Sequence, residues 1–246
     1  LEKRFYLIAK TSARIVTGHS SGGWSSLWLT TRYPETFGAC WSSAPDPVDF
    51  RAFQLTDIYS ADNFYANPKT GTDWASFRSG GQGRMTVRQE NRMEEVLGPR
   101  NTSAQQWDSW QAVFGPRDAD ATPAALFDAA TGRIHPHVAA AYRRYDISHR
   151  LATDPQALIP IFRNRVHLIV GDRDSFFLNR AVKLLKNRLE SLIAADRGVA
   201  SDSGPASGYI KIVAGATHGS IQGSPEARHA AVEMVKHLQH HGHIPK

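Results

Sequence analysis

Cysteine is almost absent from this sequence, with one residue in 246. Cys40 therefore has no partner for a disulfide within the chain, which excludes the small disulfide-stabilised secreted domains. Its surroundings, FGACWSS, are typical of a buried strand, so we expect a packed structural cysteine. Long apolar runs are also missing, because none approaches the roughly 18 residues that a membrane helix needs. We expect no membrane span.

Concentrated charge of one sign is missing as well. Lys and Arg number 29 against 23 Asp and Glu, a net charge of +6, but the basic residues are dispersed and accompany no nucleic-acid-binding motif. A solvated basic face is the favoured interpretation, and we expect no nucleic-acid partner. A hydrophobic content of 41% is that of a globular protein. We predict one domain over residues 1–246 with an insertion at 50–160.

Strand-like and helix-like segments alternate outside that insertion. The strand-like runs are short and rich in β-branched residues, in chain order RIVTG, FGACWSSAP, RVHLIVGDRD and YIKIVAGATHGS. The first run precedes the helical segment GWSSLWLTTRYP, the third precedes FLNRAVKLLKNRLESLIAA, and the fourth precedes a helix from Pro225 to about His240. This alternation predicts an α/β fold with a mostly parallel sheet. Residues 1–10 also have the mixture of apolar and charged residues that is typical of a helix.

The insertion at 50–160 has helical patches near 86–97, 103–114 and 137–151 and no clear strand alternation. We interpret it as a lid or cap. Its aromatic residues either line a substrate pocket or form a small core of their own, and we favour the core; they are Trp74, Phe77, Trp107, Trp110 and Phe114.

The stretch VTGHSSGGWSS, residues 16–26, places Ser20 between a strand and a helix with glycine two positions before and two after it. That pattern predicts a sharp turn that lifts a serine hydroxyl above the sheet, with Gly18 and Gly22 needed because the strand and the helix approach closely. Ser20 is therefore the candidate nucleophile. The backbone N–H of Ser21, near the helix N-terminus, is a candidate oxyanion donor. The alternative is a purely structural glycine-rich turn.

A nucleophilic serine needs a base and an acid that orients the base. Of the eleven histidines, only His218 lies in a loop just after a predicted sheet strand. The preceding strand, HLIVGDRD, offers Asp172 and Asp174 as the acid. The order Ser, Asp, His along the chain is the one expected for α/β-hydrolases.

The segments RIVTGHSSGGWSSLWL, GDRDSFFL and AGATHGS together resemble the α/β-hydrolase superfamily, in particular its putative-esterase branch, which includes relatives of enterochelin esterase. The resemblance spans nearly the whole chain. It implies an α/β-hydrolase sheet with a lid-like insertion, and a family G-x-x-D pattern that maps onto Gly171 and Asp174. Asp172 is the second choice for the acid, and Asp46 or Asp49 the third.

The same resemblance implies a serine esterase that acts on small-molecule carboxylic esters through an acyl-enzyme on Ser20, with His218 activating the hydrolytic water. It implies no metal and no organic cofactor. We also predict substrate contacts for His19 and Trp24, although the Trp24 ring could pack inward instead. A peptidase or amidase on the same residues, or a non-catalytic binding module, is the alternative function.

The sequence departs from this family at its start, because only nineteen residues precede Ser20 and leave no room for the strands that usually come first. We therefore expect the strand before Ser20 to lie at a sheet edge. The expectation is either that the chain is the C-terminal part of a larger hydrolase or that a partner chain completes the sheet. Near the C-terminus, His237 and His241 are four residues apart, but a solvated end is favoured over a metal site.

Overall fold

Four parallel strands form the central sheet of the structure, a computed structural model that describes residues 2–5, 7–195 and 207–245. The strands are β1 (Ile15–His19), β2 (Ala39–Ser43), β3 (Val166–Gly171) and β4 (Tyr209–Val213), in the spatial order β1-β2-β3-β4. This confirms the α/β class and the four sheet strands predicted from the sequence. Every residue of β3 is buried, as expected for an interior parallel strand.

Within the described residues, β1 forms one edge of the sheet and pairs on one side only, with β2. Its burial is correspondingly lower than that of β3, and Thr17 at its centre is exposed. The edge position agrees with the sequence expectation. That another segment or another chain completes the sheet stays a prediction.

Eight helices of seven or more residues accompany the strands in the described residues, in addition to the short helix Glu2–Phe5. They are α1 (Ser21–Arg32), α2 (Val87–Leu97), α3 (Gln106–Phe114), α4 (Pro136–Tyr142), α5 (Ile147–Thr153), α6 (Pro155–Arg165), α7 (Asn179–Ala195) and α8 (Pro225–His240). Helix α1 packs on β1 and β2, and α7 packs on β3 and β4. The predicted helix at 1–10 is wrong over most of its length: only Glu2–Phe5 is helical and 7–10 is not, while Leu1 and Tyr6 lie outside the described residues.

Helix α8 lies over a polar part of the sheet. Trp41, His167 and Tyr209 are neighbours in register on three strands, and the Trp41 and His167 rings stack at 4.3 Å. Glu233 on α8 accepts hydrogen bonds from Trp41 Nε1 at 2.9 Å and from the Tyr209 hydroxyl at 2.7 Å. These two bonds attach a helix that has no buried residue of its own to the sheet.

The chain between β2 and β3 contains helices α2 to α6 and a short hairpin in which Arg78–Ser79 pairs with Gln82–Gly83. Trp107, Trp110 and Phe114 are at most 5% exposed and belong to one core together with residues of α1 and the sheet. These three aromatic residues therefore contribute to the main core, and the prediction that they form a small core of the insertion is wrong. Phe77 is half-buried and is not part of this core. The lid role of the insertion stays a prediction.

Cys40 is fully buried on β2, in line with its expected structural role. Burial raises the pKa of its thiol to about 12, so the reactive thiolate is disfavoured. No helix in the described ranges is both long enough and apolar enough to cross a membrane. Nor do any three His, Cys, Asp or Glu side chains in those ranges form a group that could hold a metal.

Candidate active site

The carboxyl ends of all four strands meet at one edge of the sheet. In the register of the sheet, His19 pairs with Ser43, Ser43 with Ile169, and Gly171 with Val213. The loops that follow β1, β3 and β4 therefore emerge side by side. Ligand and catalytic groups of parallel α/β sheets are found at this edge.

Ser20 occupies the turn between β1 and α1 with φ 57° and ψ −123°, a conformation that is rare for a residue other than glycine. Its N–H donates to the Ser43 carbonyl at 3.0 Å, and its own carbonyl accepts from Trp24 N–H at 3.0 Å as the helix begins. The side chain is half-buried and its hydroxyl has no hydrogen-bond partner among the described residues. The turn thus places a hydroxyl without a hydrogen-bond partner in the described chain at the strand ends.

Glycines in this turn allow neighbouring backbone segments to lie closer together than a side chain would permit. A Cβ on Gly18 would lie 2.2 Å from the backbone carbonyl of Gly22, which no side chain can accommodate. The prediction that Gly22 is needed for the same reason is wrong, because a Cβ there would point into open space. Gly23 is the second constrained position, since its Cβ would come within 2.7 Å of the Ser43 carbonyl oxygen.

Asp174 and His218 form a hydrogen-bonded pair, with 2.8 Å between Asp174 Oδ2 and His218 Nδ1. Asp174 is completely buried, and its Oδ1 accepts from Phe176 N–H at 3.0 Å and Leu178 N–H at 3.2 Å. Because a carboxylate only accepts, Nδ1 of the neutral imidazole carries the proton and Nε2 is left free as a base.

The other candidate acids are bound elsewhere. Asp172 Oδ1 accepts from Gly215 N–H at 2.7 Å and so supports the loop that leads to His218. The Asp49 carboxylate accepts from Arg51 Nε at 2.9 Å and from Arg51 Nη2 at 2.6 Å. Burial alone would raise the pKa of this carboxyl, but the bonds to Arg51 help to lower it. Neither carboxylate is bonded to a histidine.

Asp46 lies beside the Ser20 turn. Its N–H donates to the Ser20 carbonyl at 3.3 Å, and its carboxylate accepts from Trp110 Nε1 at 3.0 Å. Burial is the main cause that raises the pKa of this carboxyl. Asp46 therefore stabilises the start of α1 through its bond to the Ser20 carbonyl.

His19 lies against His218, with 4.5 Å between the ring centroids, and its Nδ1 is 3.3 Å from Ser43 Oγ. The pKa of His19 is lowered, mainly by burial and then by the proximity of His218, which favours a neutral ring. Trp24 is 7% exposed and stacks on Trp28 at 5.2 Å in the core. His218 therefore contacts both Asp174 and His19 at the strand ends. Ser20 and Ser21 lie in the turn at the same sheet edge, whereas the Trp24 ring packs in the core.

Arg78 was not identified from the sequence. Its guanidinium donates to the backbone carbonyls of Asp174 at 3.0 Å and Asp172 at 3.2 Å, and its N–H donates to the Ser175 carbonyl at 2.8 Å. One arginine of the hairpin thereby fixes the loop that carries the acid. Since 96 residues separate Arg78 from Asp174, no local pattern could have revealed the contact.

We expect Arg78→Met to lower kcat by about 10²-fold with a smaller change in KM, because a shift of about 1 Å in a catalytic group has this effect. Arg78→Lys keeps the charge but not the planar fork, and should fall between Met and the native residue. Arg92→Met, an exposed arginine on α2, is the matched control. Steady-state kinetics on a chromogenic ester, with circular dichroism to verify folding, make the measurement. A folded Arg78→Met variant with native kcat would rule out this positioning role.

The parallel sheet, with Ser, Asp and His side chains at the carboxyl ends of its strands, defines an α/β protein of the α/β-hydrolase type. The family model described as putative esterase matches residues 1–188, and the chain belongs to that family. Membership supports a hydrolase that acts on esters.

Two solved structures are similar to this chain at low identity. A monoacylglycerol lipase from Paleococcus ferrophilus is 16% identical with a TM-score of 0.37, over 91% of this chain and 68% of the lipase. A peroxisomal α/β-hydrolase from Saccharomyces cerevisiae is 14% identical with a TM-score of 0.33, over 94% of this chain and 56% of that protein. No curated protein matches the sequence.

Proposed function

We propose that the protein is a carboxylic ester hydrolase that uses Ser20 as nucleophile, His218 as base and Asp174 as the acid that orients the base. The observation that carries the proposal is the 2.8 Å bond between buried Asp174 and His218 Nδ1, at the same sheet edge as the Ser20 turn. Family membership supports the ester bond as the target. His19, adjacent to both Ser20 and the His218 ring, is proposed to contact the substrate.

In the first half-reaction, Ser20 Oγ attacks the ester carbonyl carbon while its proton passes to His218 Nε2. The carbonyl oxygen becomes an oxyanion, to which the Ser21 N–H at the start of α1 donates a hydrogen bond. The bond to the alcohol oxygen then breaks, and His218 returns the proton to that oxygen. The alcohol leaves and Ser20 remains acylated.

In the second half-reaction, water replaces the alcohol. His218 takes a proton from the water, the hydroxyl adds to the acyl carbon, and the bond to Ser20 Oγ breaks as the serine regains its proton. Throughout, buried Asp174 stabilises the positive charge that His218 acquires and holds its ring in one orientation.

Labelling and paired substrates test this proposal. The native protein is incubated with a fluorophosphonate probe, the adduct is mapped by digestion and mass spectrometry, and turnover of a 4-nitrophenyl ester is compared with that of the matching 4-nitroanilide. An adduct on Ser20 with ester turnover is the expected result. Turnover of the anilide alone would favour a peptidase or amidase, and a folded chain without adduct or turnover would favour a non-catalytic binding module.

A further inference from the structure

A cavity of about 780 Å³ opens beside His218. The hairpin contributes Phe77 and Arg78 to one wall, and the loops after β3 and β4 contribute Arg173, Phe176 and His218 to the other. It lies directly against a side chain of the proposed catalytic set, and neither the fold nor the proposed chemistry specifies what it holds.

The charge in this cavity is of one sign, because its lining includes two arginines and no carboxylate. Arg78 donates to the carbonyls of Asp174 and Asp172, so it is already engaged. Arg173 is exposed, and within the described ranges its side chain has no hydrogen bond or ion pair. The neighbouring Asp172 is bound to Gly215 N–H instead. Arg173 is therefore available to pair with an anion from solution.

The rest of the lining provides aromatic surface. The Phe176 ring meets the His218 ring edge to face, with 4.9 Å between centroids, and lies 6.4 Å from the Phe77 ring. Phe176 is 36% exposed, so part of its ring surface is open to a ligand in the cavity. Planar groups pack well against such ring faces and edges.

The chemistry of His218 determines which half of an ester enters this space. Nδ1 is bonded to Asp174, so Nε2 must hand its proton to the leaving alcohol oxygen. That oxygen has to lie within hydrogen-bond distance of His218, and the remainder of the alcohol extends into the space beside this ring. The cavity adjoins the His218 ring, so it can receive that part of the alcohol.

We propose that this cavity binds the alcohol part of the substrate, and that this alcohol has an aromatic ring and a carboxylate that pairs with Arg173. The inference rests on the proposed esterase function and deepens it. The substrate class is thus an ester whose leaving group is an anionic phenol or aryl alcohol.

Two matched esters test the charge. 4-Acetoxybenzoate is anionic, and 4-acetoxybenzamide is its neutral counterpart of nearly the same shape. We expect the native protein to prefer the anionic ester in kcat/KM, and Arg173→Gln to reduce this preference about twofold to fivefold, as for loss of one exposed ion pair. Arg173→Glu should reverse the preference. Arg92→Gln, exposed on α2 and outside the cavity, is the control.

A third ester tests the location. Monomethyl terephthalate has its carboxylate on the acyl part, so its turnover should not depend on Arg173. Equal loss for this ester and 4-acetoxybenzoate in Arg173→Gln would show that Arg173 does not distinguish the alcohol part from the acyl part, and would overturn the inference. So would an unchanged ratio of anionic to neutral turnover in a protein that hydrolyses both acetoxy esters.

Direct binding separates the inference from the proposed function. Calorimetry with 4-hydroxybenzoate, the expected alcohol product, does not require turnover and can be done on the Ser20→Ala chain. Binding that weakens about twofold to fivefold in Arg173→Gln supports the cavity assignment even if no ester is hydrolysed. Binding that is absent, or equal with and without Arg173, contradicts the cavity assignment while leaving Ser20 labelling to decide the esterase function.

Discussion

Replacement of Ser20 by Ala is expected to lower kcat for ester hydrolysis by about 10⁶-fold, the scale seen when a serine hydrolase loses its nucleophile. The Ser20 hydroxyl makes no hydrogen bond within the described chain, so its removal leaves no donor or acceptor unpaired. Alanine retains the Cβ and therefore the same backbone constraint at φ 57°. The melting temperature should consequently change little while the acyl-enzyme can no longer form.

Rapid-mixing kinetics with a 4-nitrophenyl ester and labelling by a fluorophosphonate measure this effect, and both the burst and the label should disappear. Ser25→Ala is the matched control, because Ser25 is exposed on the same helix and its hydroxyl bonds only to the Ser21 carbonyl. We expect native burst and labelling in that variant. A Ser20→Ala protein that still turned over and still bound the probe would place the nucleophile on another residue.

The parts of the fold that sequence could predict are those governed by local rules. The β-branched residues of RIVTG and the apolar run of HLIVG predict buried strands, and β1 and β3 lie there. A helix is predicted from Pro225, and α8 begins there, with the Ser224 side chain accepting from Ala227 N–H as its cap. Such signals depend on neighbours in the chain, which is why they succeed.

Predictions failed where the deciding contact is distant or where backbone direction matters. Arg78 reaches the acid loop across 96 residues, so its role depends on tertiary packing of the insertion. Gly22 and Gly23 are adjacent in the sequence, and only the direction of each missing Cβ distinguishes them. The sequence favours a small core within the insertion for Trp107, Trp110 and Phe114, whereas packing places them in the main core with residues of α1 and the sheet.

The choice between Asp172 and Asp174 shows the same limit inside the candidate site. The two carboxylates are separated by one residue at the end of β3, and the sequence leaves both open. Backbone hydrogen bonds give the two carboxylates different roles. The Phe176 and Leu178 N–H groups orient Asp174 toward His218, whereas Asp172 is bonded to the Gly215 N–H instead of a histidine. Gly171 makes this geometry possible, because a Cβ there would lie 2.0 Å from the Ala216 carbonyl oxygen.

We expect Asp174→Asn to lower kcat by about 10⁴-fold with little change in KM, the effect of a similar replacement in a serine protease. An Asn amide can accept from Phe176 and Leu178 as the carboxylate does, but it carries no charge to stabilise protonated His218. If its NH₂ faces His218, Nδ1 must act as acceptor and the proton moves to Nε2, where it blocks the base. Steady-state kinetics on a chromogenic ester, together with thermal melting, measure both activity and folding.

Asp172→Asn is the matched comparison, since it makes the same chemical change two residues away. Its side chain can still accept from Gly215 N–H, so the loop should hold and kcat should remain within about tenfold of native. The two variants together assign the acid, because only loss of the group bonded to His218 removes charge stabilisation from the transition state. A 10⁴-fold loss in Asp172→Asn with near-native Asp174→Asn would transfer the role to Asp172 and require His218 to adopt another orientation during turnover.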